Sequence, residues 1–205
     1  MAGATPDWAV AAIVAAGRRM DARGWVPATA GNISVRLGAG RIAITRSGGH
    51  KGFLDATHVM QVDAQGAALT PGMRPSAETL LHCQIYETFP STGAVLHGHS
   101  VAGTVLSMTD PAPALRFAGY ELLKAFEGQA THEAALDLPV VDNDQDMERL
   151  AARLAPLLRT GAPLGYLIRG HGVYVWGPEM NVALARLEGL EFLLACELER
   201  RKLAR

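Results

Sequence analysis

Cysteine is scarce. The chain has 205 residues and two cysteines, Cys83 and Cys196. Neither lies in a C-x-x-C spacing, which argues against a disulfide framework and a thiolate metal knuckle. Two lone cysteines read as small buried hydrophobes in a reducing compartment. An excess of either charge is also missing. Nineteen basic and 20 acidic residues give a formal charge of −1, too little for a large nucleic-acid footprint or a polybasic membrane patch. No apolar run approaches the roughly 18 residues a membrane-spanning helix needs. Met1 to Asp7 has no basic region followed by a hydrophobic one, so no signal peptide is expected. G-x-x-x-x-G-K-[ST], G-x-G-x-x-G and G-x-S-x-G are all absent, which argues against a nucleotide loop, a dinucleotide fold and a serine-hydrolase elbow. There is no repeat, linker or low-complexity tract. The apolar fraction, by contrast, is 49%, too high for a disordered chain. A chain this long buries roughly 70% of its unfolded surface in one domain. The expectation is a cytoplasmic enzyme of α/β class, one domain over residues 1–205.

The pattern of elements refines that class. A helix is expected from about Asp7, as its cap, to Arg23, with Trp8, Ala12, Ala15, Ala16 and Arg19 on its apolar face and Gly24 as its stop. Ile33 to Val35 and Arg41 to Thr45 read as a hairpin around Gly38-Ala-Gly40. Val59 to Val62 is a short strand. Ser76 is placed to cap a helix from about Ala77 to Phe89. Ala94 to His99 is an apolar strand followed by a helix at 101–107, and Gly119 to Ala125 reads as a short helix. A strand at 138–141, a helix at 146–158, strands at 166–168 and 173–176 and a helix at 181–202 complete the chain. Hairpins alternate with helices, so the sheet should be mixed or largely antiparallel with helices on its faces.

The sharpest chemical feature is Val95-Leu-His97-Gly-His99-Ser100. Residues two apart in a strand share a face, so His97 and His99 can present two imidazoles to one metal. A catalytic zinc keeps three protein ligands and an open position. His171, between two glycines at the head of a strand, is the best third candidate; His50, His58, His82 and His132 remain alternatives. A second feature is a set of amide-rich loops: Gly31-Asn32, Ser47-Gly48 and Pro75-Ser76, with Lys51 as a nearby cation. Glycine-loop amides and helix N-termini bind phosphate. Each loop alone reads as a turn; together with a metal pair they suggest a small phosphorylated metabolite. Glu78 and Glu121 are spare carboxylates for acid/base work, although either alone reads as a solvated helix residue.

Gly31-Asn32-Ile-Ser-Val, Thr45-Arg-Ser47-Gly48, Pro75-Ser76-Ala-Glu78, His97-Gly-His99 and His171-Gly-Val, in this order, resemble the class II aldolase and adducin family over about residues 8–200. The resemblance implies an α/β/α fold with a central, largely antiparallel sheet flanked by helices. It implies one Zn2+ per subunit on His97, His99 and His171, and a homotetramer with sites near subunit interfaces. Gly31, Asn32, Ser47 and Gly48 match the family's phosphate loops, and Glu78 matches the base of its aldolases. Arg74 to His82, Gly119-Tyr-Glu121-Leu-Leu-Lys124, Leu138 to Asn143 and Arg169 to Gly177 are most similar to its dehydratases, in which the glutamate matching Glu121 is the acid/base. This chain keeps both carboxylates, so their division of labour is open. The implied reaction is dehydration of a 2-keto sugar phosphate with hydroxyls on C3 and C4 and a methylthio tail, a hydro-lyase step in methionine salvage. An aldolase or epimerase on the same scaffold is the alternative. A non-catalytic adducin-like module is disfavoured by the three retained histidines.

Overall fold

A computed structural model describes residues 4–204; the reading of Met1 to Asp7 as leaderless falls partly outside them. The elements are α1 (Asp7–Ala22), β1 (Asn32–Gly38), β2 (Arg41–Thr45), β3 (Val59–Asp63), α2 (Thr79–Thr88), β4 (Ala94–Gly98), α3 (Val101–Thr109), β5 (Ala114–Ala118), β6 (Ala135–Val141), α4 (Met147–Arg159), β7 (Tyr166–Ile168), β8 (Val173–Gly177) and α5 (Met180–Leu203). The strands form one eight-stranded sheet in the order β3-β2-β1-β4-β8-β7-β6-β5. Every pairing is antiparallel except β6 with β7.

Strand alternation builds two cores. Ile33, Val35, Leu96, Val173 and Val175 face a layer with Ile13, Ala16, Leu106, Leu190 and Leu194 from α1, α3 and α5. Ile44, Val95, Tyr174 and Trp176 face the other layer, with Leu81 and Ile85 of α2 and Leu150, Leu154 and Leu158 of α4. The leucines of α4 recur every fourth residue, the period of one helix face, and Asp146 caps it by accepting from the Arg149 N–H at 3.0 Å. The result is the α/β/α arrangement that the hairpin-and-helix alternation implies.

Local structure departs from the sequence pattern in four places. Pro6, not Asp7, stands at the N-cap of α1, and Asp7 opens its first turn. The buried face of α1 is Ala9, Ile13, Ala16, Gly17 and Met20, while Trp8 is 57% exposed. An alanine-rich helix offers little contrast between faces, and one residue of error turns it by about 100°. Ser76 caps a turn rather than α2: its Oγ accepts from the Glu78 N–H at 3.3 Å, and Glu78 is the N-cap residue. Strand β5 has no forerunner in the sequence pattern, because Pro111 and Pro113 mark its approach as loop.

Candidate functional site

His97 lies near the end of β4, on the α2/α4 side of the sheet. Its register partner across the ladder is Tyr174 of β8, and the two rings stack at 4.0 Å and 15°. The His97 ring is fully buried, and its Nδ1 donates to the Val173 carbonyl at 2.9 Å. A carbonyl only accepts, so Nδ1 carries the hydrogen and Nε2 keeps its lone pair. That Nε2 is buried without a hydrogen-bond partner. His99 follows one residue beyond the strand, with its ring 4.5 Å from that of His97. His171 arrives from the turn between β7 and β8, fixed by its N–H on the Ile168 carbonyl at 3.0 Å. One ring nitrogen from each of the three lies within 4.8 Å of the others. Three imidazoles, one with an orphaned buried lone pair and a carbonyl fixing its tautomer, are a donor set that fits a divalent metal of zinc type.

Two glycines make the convergence possible. Gly31 has φ +79°, and a Cβ there would lie 2.7 Å from the His97 carbonyl oxygen. A Cβ on Gly172 would lie 2.2 Å from the Gly98 carbonyl oxygen and 2.9 Å from His97 Cε1.

The remaining histidines are occupied elsewhere. His50 accepts from the Gly52 N–H. His58 pairs with Asp55. His82 is buried against the Ser34 hydroxyl at 2.8 Å, and His132 is exposed. Ser100 caps α3 by accepting from the Gly103 N–H at 3.0 Å, a structural task rather than a nucleophile's.

Glu78 completes the cluster. Its Oε1 is 2.9 Å from His171 Nε2 and 3.5 Å from His97 Nε2, and its Oε2 accepts from Asn32 Nδ2 at 2.6 Å. Burial alone would raise the Glu78 carboxyl; the hydrogen bond from His171 outweighs it and holds the group well below the usual carboxylate range. Burial pushes His99 down to about 3, so it is a neutral imidazole near pH 7, the form that binds metals.

The cleft has two arms. One, of about 320 Å³, is lined by Gly31, Asn32, Ser47, Gly48, Lys51 and Ser76 together with Thr29, Arg46, Glu78 and His99. The three amide-rich loops therefore meet at one place. Lys51 is buried, and its Nζ donates to the carbonyls of Thr29 at 2.7 Å and Gly49 at 2.8 Å. Burial lowers its pKa to about 8, against the pull of Glu78. Arg46 is a residue that sequence reasoning misses; its place directly before Ser47-Gly48 is the available signal. The second arm, of about 410 Å³, shares Ser76, Glu78 and His99 and adds Ala77, Asn143, Gln145, Met147, Gly170 and His171. Nothing in the sequence singles out Gln145 or Met147.

Glu121 is not brought to this cleft within the chain. It opens a short 3-10 turn, Glu121–Ala125, whose Leu123 packs into the α1/α3/α5 core. Its side chain is 72% exposed and paired with Lys124.

Comparison with known proteins bears on the whole chain. Residues 11–198 match the Class II Aldolase and Adducin N-terminal domain. A protein of Granulibacter bethesdensis named methylthioribulose-1-phosphate dehydratase is 68% identical over 203 residues, covering 97% of this chain and 94% of that one. One of the same name from Pseudomonas syringae pv. syringae is 52% identical over 190 residues, covering 92% and 93%. Among solved structures, L-fuculose-1-phosphate aldolase from Thermus thermophilus superposes with a TM-score of 0.76 at 26% identity, covering 95% of each chain. An L-fuculose 1-phosphate aldolase superposes with a TM-score of 0.81 at 18% identity over 98% of this chain and 90% of that one, a likeness of fold.

Proposed function

The chain belongs to the Class II Aldolase and Adducin N-terminal domain family, and from that premise we propose that it dehydrates 5-methylthioribulose 1-phosphate to 2,3-diketo-5-methylthiopentyl 1-phosphate. It is a lyase of methionine salvage. The observation that carries this is 68% identity, over nearly the full length of both chains, to a protein named for that reaction. The cleft agrees chemically: it joins three imidazoles to a cationic, amide-lined arm suited to a phosphate.

His97, His99 and His171 would hold the metal, with zinc as our finer reading at one per subunit. When bound, such an ion supplies Lewis-acid polarisation of a carbonyl. Lys51, Arg46 and the loops at Gly31-Asn32, Ser47-Gly48 and Ser76 bind the phosphate by charge and N–H or O–H donors. Asn32 holds Glu78 in place. In the elimination a carboxylate takes the C3 proton, and an acid protonates the C4 hydroxyl, which leaves as water. The C3–C4 enol that remains tautomerises to the 3-ketone, giving the diketone. We assign the acid/base role to Glu121. Because that residue faces outward from its own subunit, the assignment requires a site shared between subunits. A homotetramer meets that need, and α3 offers a surface for it: Val101, Val105 and Met108 form an exposed apolar stripe beginning two residues after His99. Both cysteines are free, which suits a cytoplasmic setting.

The second reading, in which Glu78 is the base of an aldolase-type site, is favoured by its place beside His97 and His171. One experiment separates the two. Purified protein is given 5-methylthioribulose 1-phosphate, and diketone formation is followed for the wild type, Glu121→Gln and Glu78→Gln. A general acid/base contributes about 10²- to 10⁴-fold, so Glu121→Gln should lose that much kcat and Glu78→Gln less. Reassembling Glu121→Gln with His97→Ala subunits should restore part of the activity if Glu121 serves a neighbour's site. An inactive Glu78→Gln beside a fully active Glu121→Gln would overturn the assignment; absence of diketone from the wild type would overturn the function.

A further inference from the structure

Resting on the dehydratase reading, we propose that the arm containing Met147 receives the methylthio end of the substrate, and that Met147 is a specificity-determining residue for it. The two arms meet at Ser76, Glu78 and His99, so a chain laid across the histidines must place its ends in opposite arms. The arms differ in charge. Arg46 and Lys51 line the first, with its loop amides; the second is lined by no lysine or arginine among the described residues. A phosphate dianion seated in the second arm would face two amides, a thioether, the Ser76 hydroxyl and the imidazoles of His99 and His171 beside the carboxylate of Glu78, with no lysine or arginine to balance it. A thioether seated in the first would cover Lys51, already desolvated enough to sit near 8. Charge therefore fixes the direction, with phosphate toward Ser47 and the tail toward Met147.

The second arm can accept such a tail. Met147 is the first residue of α4, held by the Asp146 cap, and it packs partly buried on the core of Leu150 and Leu154. Ala77 adds a methyl group to the lining. A thioether is soft and polarisable and fills irregular apolar gaps, so sulfur and methyl of the tail meet a surface of their own kind. A hydroxyl at C5 in place of the methylthio group would gain none of that contact.

The test compares binding of two ketose phosphates that differ only at that end. For the wild type, Met147→Leu, Met147→Asn and Ser47→Ala, one measures kcat/KM for 5-methylthioribulose 1-phosphate and the competitive inhibition constant of ribulose 1-phosphate. A small apolar group in a hydrophobic pocket is worth about 10- to 200-fold. Met147→Asn should lower kcat/KM by about 10-fold or more and leave the ribulose 1-phosphate constant within about twofold. Met147→Leu should stay close to the wild type in both. Ser47→Ala should weaken both compounds together. Equal weakening of both by Met147→Asn would make the residue a mere support and overturn the proposal, as would no change in either. A wild type that forms no diketone would instead overturn the dehydratase reading.

Discussion

Replacing Gly172 with alanine tests whether the spacing between β4 and β8 builds the metal centre. The backbone conformation is not the obstacle, since Gly172 is not among the positive-φ residues. Space is. The new Cβ would stand 2.2 Å from the Gly98 carbonyl oxygen and 2.9 Å from His97 Cε1. Carbon and a carbonyl oxygen rest at about 3.3 Å, so the strands must part by roughly 1 Å. A backbone carbonyl cannot rotate away as a side-chain tip can. The His97–Val173 hydrogen bond and the Gly98–Val173 pairing lie at that point. Overpacking of this kind destabilises by about 1–3 kcal/mol, and rigid backbone neighbours place it at the upper end, ~2–3 kcal/mol. In a chain of this size that lowers Tm by about 4–12 °C. Gly189→Ala in α5 is the counterpart. Its Cβ would meet Ala125 and Phe126 at 3.5 Å, an ordinary contact, and a helix-interior alanine gains roughly 0.5–1 kcal/mol over glycine. Thermal unfolding with and without added zinc measures both. Gly172→Ala should unfold early and gain less from the metal, because displacing His97 weakens binding and the stabilisation follows affinity. A Gly172→Ala protein that melts within about 1 °C of the wild type and keeps its zinc response would refute the spacing argument.

The other expectations concern the cleft. His97→Ala should lose most bound metal by elemental analysis; full occupancy would remove His97 from the ligand set. Ser47→Ala should raise KM more than it lowers kcat, since a phosphate contact serves ground and transition states alike. Asn32→Ala should also lower kcat, because Asn32 Nδ2 holds Glu78 at 2.6 Å; identical kinetic profiles for the two variants would contradict that second role. Lys51, lowered by burial to about 8 from an ordinary 10.5, loses its charge as pH rises through 8. The wild-type KM should therefore climb above that pH, and Lys51→Arg should flatten the climb. The unfolded chain binds more protons at Lys51 between pH 8 and 10.5, so the same group adds stability as pH rises through that window. A denaturation midpoint that fell there because of Lys51 would reverse the sign.

What can be read in advance follows the range of the interactions. His97 and His99 are legible as a pair because strand period two is local. The third ligand is not: five other histidines are available, and only the turn between β7 and β8, far along the chain, carries one to the pair. The loops at Gly31-Asn32, Ser47-Gly48 and Ser76 are each legible as turns, but their convergence depends on β1 lying between β2 and β4. The buried face of α1 is displaced by one residue from the sequence pattern because alanine at several positions flattens the contrast. Gln145 and Met147 carry no local mark at all; depth in a cleft is a property of tertiary packing.

The two carboxylates show the same limit in its most consequential form. Both are visible in the sequence, and each alone reads as an exposed helix residue. The Glu78 side chain is in fact only 17% exposed, with Asn32 on one oxygen and His171 on the other, so the site itself fixes its geometry. Glu121 is held by Lys124 and by the packing of its turn, and its own chain leaves it facing outward. A side chain that catalyses must reach the reacting atoms. If Glu121 does so, the missing contact is between subunits, beyond what the pattern within one sequence can express. On the proposed reading, the metal and phosphate halves of the site are properties of the fold, and the acid/base half is a property of the assembly.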